Sequence, residues 1–181
     1  MPEPKNREEL AKDLITEHET LGKFFEEMDT GVFFAKPPKG WSPEQNIRHL
    51  YKACFALRMG MLTPKPLLRL IFGRSKRASR AMSEISGDYL HALAQGAGAG
   101  MYAPMTAALS PAREKQNRLV KSFVDIGKAL SKSVLSWSEE DLDTIRLPHP
   151  ILGLLPVREM VLFGILHGKH HSNIVRKRLA A

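Results

Sequence analysis

Four stretches of this chain carry apolar residues on a helical period, and that periodicity restricts the fold more than any other feature. The first stripe reads Leu10, Leu14, Leu21, Phe25 and Met28. The second reads Ile47, Leu50, Cys54, Leu57 and Met61, and the third Leu119, Phe123, Ile126, Leu130 and Val134. The fourth stretch, Val157 to Leu166, is apolar nearly all round, which suits a central, buried helix. Nothing alternates with the period of two that marks a half-buried strand. The expected fold is all-α, with negligible strand. It is a four-helix bundle, up-down-up-down or with a crossover, with an extra helical or loop excursion between helices two and three. A chain of 181 residues buries one sizeable core, so 1–181 reads as a single domain.

Local signals set the boundaries. Asn6 is a plausible cap for a helix from Arg7 to Met28, with Glu9 three residues on as in a capping box. Ser42, Pro43 and Gln45 form the clearest start: N-cap, first-turn proline and capping-box partner. Thr63-Pro64 ends that helix, because the proline ring pushes the preceding residue out of the α region. Ser110-Pro111 is read as the start of helix three, and helix four runs from near Pro156 to about Leu179. In the excursion, short helices are expected over Pro66–Phe72 and Lys76–Ala94. The tract Gly96 to Gly100 is a loop, since it lacks the spacing and the strand of a dinucleotide fingerprint. Ser136 to Leu155 reads as a long connection.

Lys and Arg number 27 against 19 Asp and Glu, a formal charge of +8. The excess gathers at Lys65, Arg69, Arg74, Lys76, Arg77 and Arg80. No nucleic-acid motif accompanies it, so the segment reads as a mostly solvent-exposed face, not a specific nucleic-acid site. The single cysteine, Cys54, excludes an internal disulfide and points to a reducing, cytoplasmic setting. Met1 to Leu10 carries no apolar core of a signal peptide, and Ile151 to Leu166 is too short and too polar to span a bilayer.

Seven histidines are spread unevenly. His167 and His171 lie four apart on a helix, so their side chains stack on one face, within reach of one ion. Neutral imidazole suits Zn, Ni, Cu or Fe. A third ligand must come from another helix, and His49, beside the second stripe, is the best placed. His170 lies three from His167 and competes with His171. Gly168 excludes the zincin pattern, which needs a glutamate there. His18 falls on the first stripe and faces the interior, as a core residue or as a support behind the ligands. Gln45, one turn before His49, is a candidate for the same pocket. His91 and His149 have no supporting context, and Cys54 reads as a small core residue.

Two blocks resemble the DinB-like superfamily. The first is Gly40-Trp-Ser-Pro-Glu-Gln-Asn-Ile-Arg-His-Leu-Tyr51. The second runs from His149-Pro-Ile-Leu-Gly-Leu-Leu-Pro-Val-Arg-Glu159 through Phe163 to His167-x-x-x-His171 and Ile174. Together they cover a minority of the chain, and residues 64–110 depart from shorter members. The resemblance implies a helical bundle whose three metal-binding histidines fall on His49, His167 and His171. It implies a divalent metal (Zn, Ni or Fe), a small-molecule substrate that includes a low-molecular-weight thiol, and thiol S-transfer or hydrolysis as the chemistry. A homodimer and a link to stress response come with it, the family's name referring to damage-inducible expression. No clear general base stands out; Glu17, Tyr51, His18 and His170 are the options. That mildly favours thiol transfer, which needs little beyond metal and positioning. The competing expectation is a non-catalytic bundle that binds a partner or an anionic surface through residues 65–80.

Overall fold

The computed structural model describes residues 4–104 and 110–180. Four long helices make the bundle: α1 (Arg7–Glu26), α3 (Pro43–Leu62), α6 (Arg113–Leu135) and α8 (Val157–Leu179). Shorter elements join them: α2 (Thr30–Phe34), α4 (Lys65–Phe72), α5 (Met82–Ala94) and α7 (Glu139–Thr144), with strands β1 (Arg146–His149) and β2 (Gly153–Pro156). Among the described residues no helix is long and apolar enough to cross a membrane.

Helix α1 packs on α6 and α8, and α3 packs on the same two, so α1 and α3 sit on a diagonal. Directions follow from the contacts. Gln116, at the start of α6, donates to the carbonyls of Phe25 and Met28 at the end of α1, while Ser131 bonds Ala11 near its beginning. Asn46, at the start of α3, meets His171 near the end of α8. The order is therefore up-down-down-up, the crossover arrangement. Two parallel neighbours, α3 and α6, need a connection that returns the length of the bundle. The excursion supplies it, climbing the outside of the α3–α8 face through α4, α5 and a 3-10 turn at Gly100–Tyr102.

Helix starts follow local chemistry. Ser42 Oγ accepts from Gln45 N–H and Gln45 Oε1 from Ser42 N–H, so the capping box is complete. Asn6 caps α1 through Glu9 N–H, but Glu9 bonds Lys5 N–H and not the cap's own amide. The second stripe is buried throughout. The third differs in phase: Val120 is buried and Leu119 only half so, because the stripe begins at fully buried Gln116.

Three expectations need correction. Helix α6 begins at Arg113 after an extended Ala112, not at Ser110-Pro111; Arg113 is held there by the Met28 carbonyl and Gln116. The stretch 74–81 is irregular, not helical, with an isolated bridge from Arg74 to Ile145 and a bend at Arg77. The connection 136–155 is not featureless either: it holds α7 and an antiparallel hairpin, with Arg146 opposite Pro156 and His149 opposite Gly153. Gly153 takes φ 75°, a conformation that favours glycine.

The basic segment is only partly an open face. Lys65 and Arg69 pair with Asp141 at 2.8 and 2.6 Å, and Arg74 with Glu140 at 2.5 Å. Arg77 and Arg80 both clamp Glu159, a fully buried carboxylate in the first turn of α8. Burial alone would raise the pKa of Glu159, but the two guanidiniums hold it below the usual range. This clamp ties the irregular 74–81 stretch to the bundle. Glu159→Ala should therefore lower the unfolding free energy by about 2 kcal/mol, less than for a fully buried pair because both arginines are partly exposed. Urea titration measures it; an unchanged midpoint would mean that the clamp adds nothing to stability.

Candidate metal centre

Three imidazoles meet between α3 and α8. His49 comes from the second turn of α3, and His167 and His171 from one face of α8, each with no more than 6% of its surface exposed. The Nε2 atoms of His49 and of His171 each lie 3.0 Å from Nε2 of His167. Candidate ligand atoms of all three fall within 4.8 Å of one another.

The other ring nitrogens fix which face is presented. His49 Nδ1–H donates to the Tyr102 carbonyl at 2.9 Å, and His171 Nδ1–H to Asn46 Oδ1 at 2.6 Å. The Asn46 amide is oriented in turn by donating to the carbonyls of Ser42 and Trp41, at 2.8 and 3.2 Å. Both rings thus carry their proton on Nδ1 and turn a bare Nε2 inward. Trp41 backs the pair, its ring parallel to His171 and tilted against His49.

This donor set fits a divalent ion. A proton on His167 Nε2 satisfies one neighbour and leaves the lone pair of the other without a donor. A cation among the three relieves that conflict. Nitrogens about 2.0–2.1 Å from a tetrahedral ion sit roughly 3.3 Å apart, close to the 3.0 Å found here. Burial, and then the neighbouring imidazoles, push His167 well below the usual histidine range. Burial foremost lowers His49 and takes His171 to about 2. All three are neutral near pH 7, the form that binds metal.

The remaining sequence candidates separate. His170 is half-buried, its ring edge-on to Tyr89 with centroids 5.5 Å apart; it lines the adjoining cleft but is not one of the three. His18 is buried on α1, stacked on Phe123, with Nδ1–H given to the Leu14 carbonyl and Nε2 accepting from the Cys54 thiol at 3.3 Å. Gly127 leaves room for that ring, since a Cβ there would lie 2.3 Å from His18 Cγ. Gln45 is spent in the capping box, and it is the next residue, Asn46, that reaches the site. Glu17 packs against Gly168 from α1 and does not line the cleft. Cys54 lies on the cleft wall, and burial raises its thiol to about 12.

Sequence reasoning missed Asn46, Tyr102 and His149. Asn46 had a signal, standing three residues before His49 inside the capping motif. Tyr102 contributes a main-chain carbonyl, which no side-chain pattern announces. His149 ends β1 against Phe163 and lines the cleft. Its Nδ1 accepts from the amides of Ile151 and Leu152, and burial lowers it to about 4.

These shifts set a pH dependence for the metal-free protein. Each of these histidines has a folded-state pKa below its unfolded 6.5, so the unfolded chain binds protons first. Their stabilisation is complete above 6.5 and is lost as pH falls towards about 4 for His149 and about 2 for His171. Between pH 6.5 and 5 the loss belongs to histidines, because the lowered carboxylates Asp141, Asp143 and Glu159 act only below their ordinary 3.8 and 4.5. Chelator-treated protein should show a lower urea midpoint at pH 5 than at pH 7.5; equal midpoints would contradict the burial argument.

The fold and the histidine cluster agree with comparison to known families. The sequence model of the DinB superfamily matches residues 13–175, nearly the whole chain, including all three histidines. No protein of curated function matches the chain. On the extent of that match, the chain belongs to the DinB superfamily.

Proposed function

We propose that this chain, as a single domain over 1–181, is a metal-dependent enzyme acting on a small molecule. His49, His167 and His171 are its metal ligands, and transfer of a low-molecular-weight thiol to an electrophile is its reaction. One observation carries the reading: three neutral imidazoles, His49 and His171 locked in orientation through Nδ1, aim Nε2 at one point on the wall of a cleft of about 660 Å³. Zn, Ni or Fe suits three imidazoles. The low-molecular-weight thiol, a homodimer, a cytoplasmic location and a stress-linked role belong to the same proposal and rest on family membership.

A divalent ion held there supplies Lewis acidity at an open position, favouring thiolate over thiol or lowering the pKa of water. The protein's residues do the rest. His49 and His171 keep their Nδ1 protons on Tyr102 and Asn46, so their Nε2 atoms stay available throughout. Trp41 and Phe163 shield the rings from water. His170, lowered by burial and so neutral near pH 7, offers a ring nitrogen at the cleft to take the proton released by a thiol. Tyr89, its pKa raised by burial, keeps its hydroxyl proton and serves as a hydrogen-bond donor. Among the described residues no carboxylate lines the cleft, which favours attack by a thiolate over base-driven hydrolysis.

Metal stoichiometry tests the reading, on protein purified without a chelating tag. Wild type should take up about one ion per chain. His171→Ala should lose most metal affinity with the helix intact, alanine being a good helix former. His170→Ala should keep its metal. Asn46→Ala should weaken affinity about 10–100-fold, as loss of an outer hydrogen-bond partner does. Metal retained in His171→Ala but lost in His170→Ala would reassign the ligand, and no metal under any loading would end the enzyme reading.

A further inference from the structure

The cleft beside the three histidines is a channel along the bundle. On α8 it is lined by one stripe: Met160, Phe163, Gly164, His167, His171 and Ile174. From Met160 to His171 that stripe covers about 16 Å of helix. On α3 it is lined by Asn46, His49, Ala53, Ala56, Leu57 and Gly60. Ala53 and Ala56 on one wall and Gly164 on the other keep it open. The excursion forms its outer side, through Leu68, Ile71 and Phe72 of α4 and Tyr89 and Leu93 of α5.

Its chemistry is graded from end to end. Asn46, Tyr89, Tyr102 and His170 gather with the three ligands. The far end is walled by Leu68, Phe72, Leu147, Ile151 and Met160. His149 lies at that end, but its Nδ1 is taken by two backbone amides. Among the described residues no Asp, Glu or Lys lines the channel, and the one permanent charge among them is Arg178, exposed at the histidine end and bonded to the Trp41 carbonyl at 2.9 Å.

A narrow apolar channel with a cationic, metal-binding end matches one class of molecule. We infer that the site takes a substrate with a single elongated apolar chain and an anionic, metal-ligating head, the chain lying along α3 and α8 beneath α4 and α5. The head group rests on the metal reading above; the chain rests on the channel alone. The excursion is then the part of the molecule that selects substrate, because without α4 and α5 the channel has no outer wall.

Calorimetric titration of the full chain at pH 7.5, with metal and after chelation, tests this with octanoate, decanoate, dodecanoate and dodecyltrimethylammonium. Affinity should rise about tenfold for each two methylenes, in both metal states, and metal should tighten every carboxylate. The cationic amphiphile should bind at least tenfold more weakly than dodecanoate. Ala53→Phe should weaken dodecanoate at least tenfold while metal content stays at the wild-type value. Ala56→Leu serves the same purpose, should Ala53→Phe shift the unfolding midpoint. Equal affinities along the chain series, or dodecanoate binding untouched by both substitutions, would overturn the inference. An intact chain-length series in a protein that takes up no metal under any loading condition would, by the missing metal, sink the metal reading and leave the channel standing. Metal uptake with a flat series would do the reverse.

Discussion

Three imidazoles cannot turn their lone pairs to one point in a water-poor interior without something positive among them. That conflict organises the half of the molecule around the site. It is enforced by two acceptors, the Asn46 amide and the Tyr102 carbonyl, which hold the Nδ1 protons of His171 and His49 and leave those rings no other tautomer to adopt. Desolvation removes the other escape, protonation, by pushing all three rings below their ordinary range. The arrangement requires α3 and α8 to run antiparallel with the start of one beside the end of the other. The up-down-down-up order provides it.

That order has a topological consequence. Two parallel neighbours force a long return, and the return is laid across the face that carries the site. Its anchoring is electrostatic as well as apolar. Asp141, Glu140 and Glu159 receive five cations of the basic segment, so a charge excess that looks like a docking face in the sequence is largely spent inside the fold. Helix α4 still leaves Leu67, Leu70 and Ile71 in solvent, Leu70 with 82% of its surface exposed. Ile71 is also a wall of the channel, so the excursion's outer ridge and the cleft meet at one residue.

The bundle was legible because its signals are local. Ser42, Pro43 and Gln45 fix the start of α3 within one turn, and the second stripe names the buried face residue by residue. The pair His167 and His171 shares a face by helical geometry alone. What stayed hidden depends on distant partners. Residues 74–81 have a composition that permits a helix, and they stay non-helical because Arg77 and Arg80 reach Glu159 about eighty positions away. The hairpin strands are four residues each, too short for a period of two to show. The proline after Ser110 suggested a helix start, yet the helix waits for Arg113, which Met28 and Gln116 hold in place. Asn46 and Tyr102 act through one amide oxygen and one carbonyl, and their roles exist only once α3 faces α8.

Cys54 gives the cleft a property of a different kind. A sulfur on the wall of a cleft is a ready target for alkylation. Here its S–H points at His18 Nε2, an imidazole that burial keeps neutral and whose Nδ1 proton is already committed to Leu14. Burial raises its pKa to about 12, so at neutral pH the reactive thiolate is scarce. The contact of His18 with Cys54 across the diagonal of the bundle thus passivates the sulfur by starving it of charge, with no change of residue.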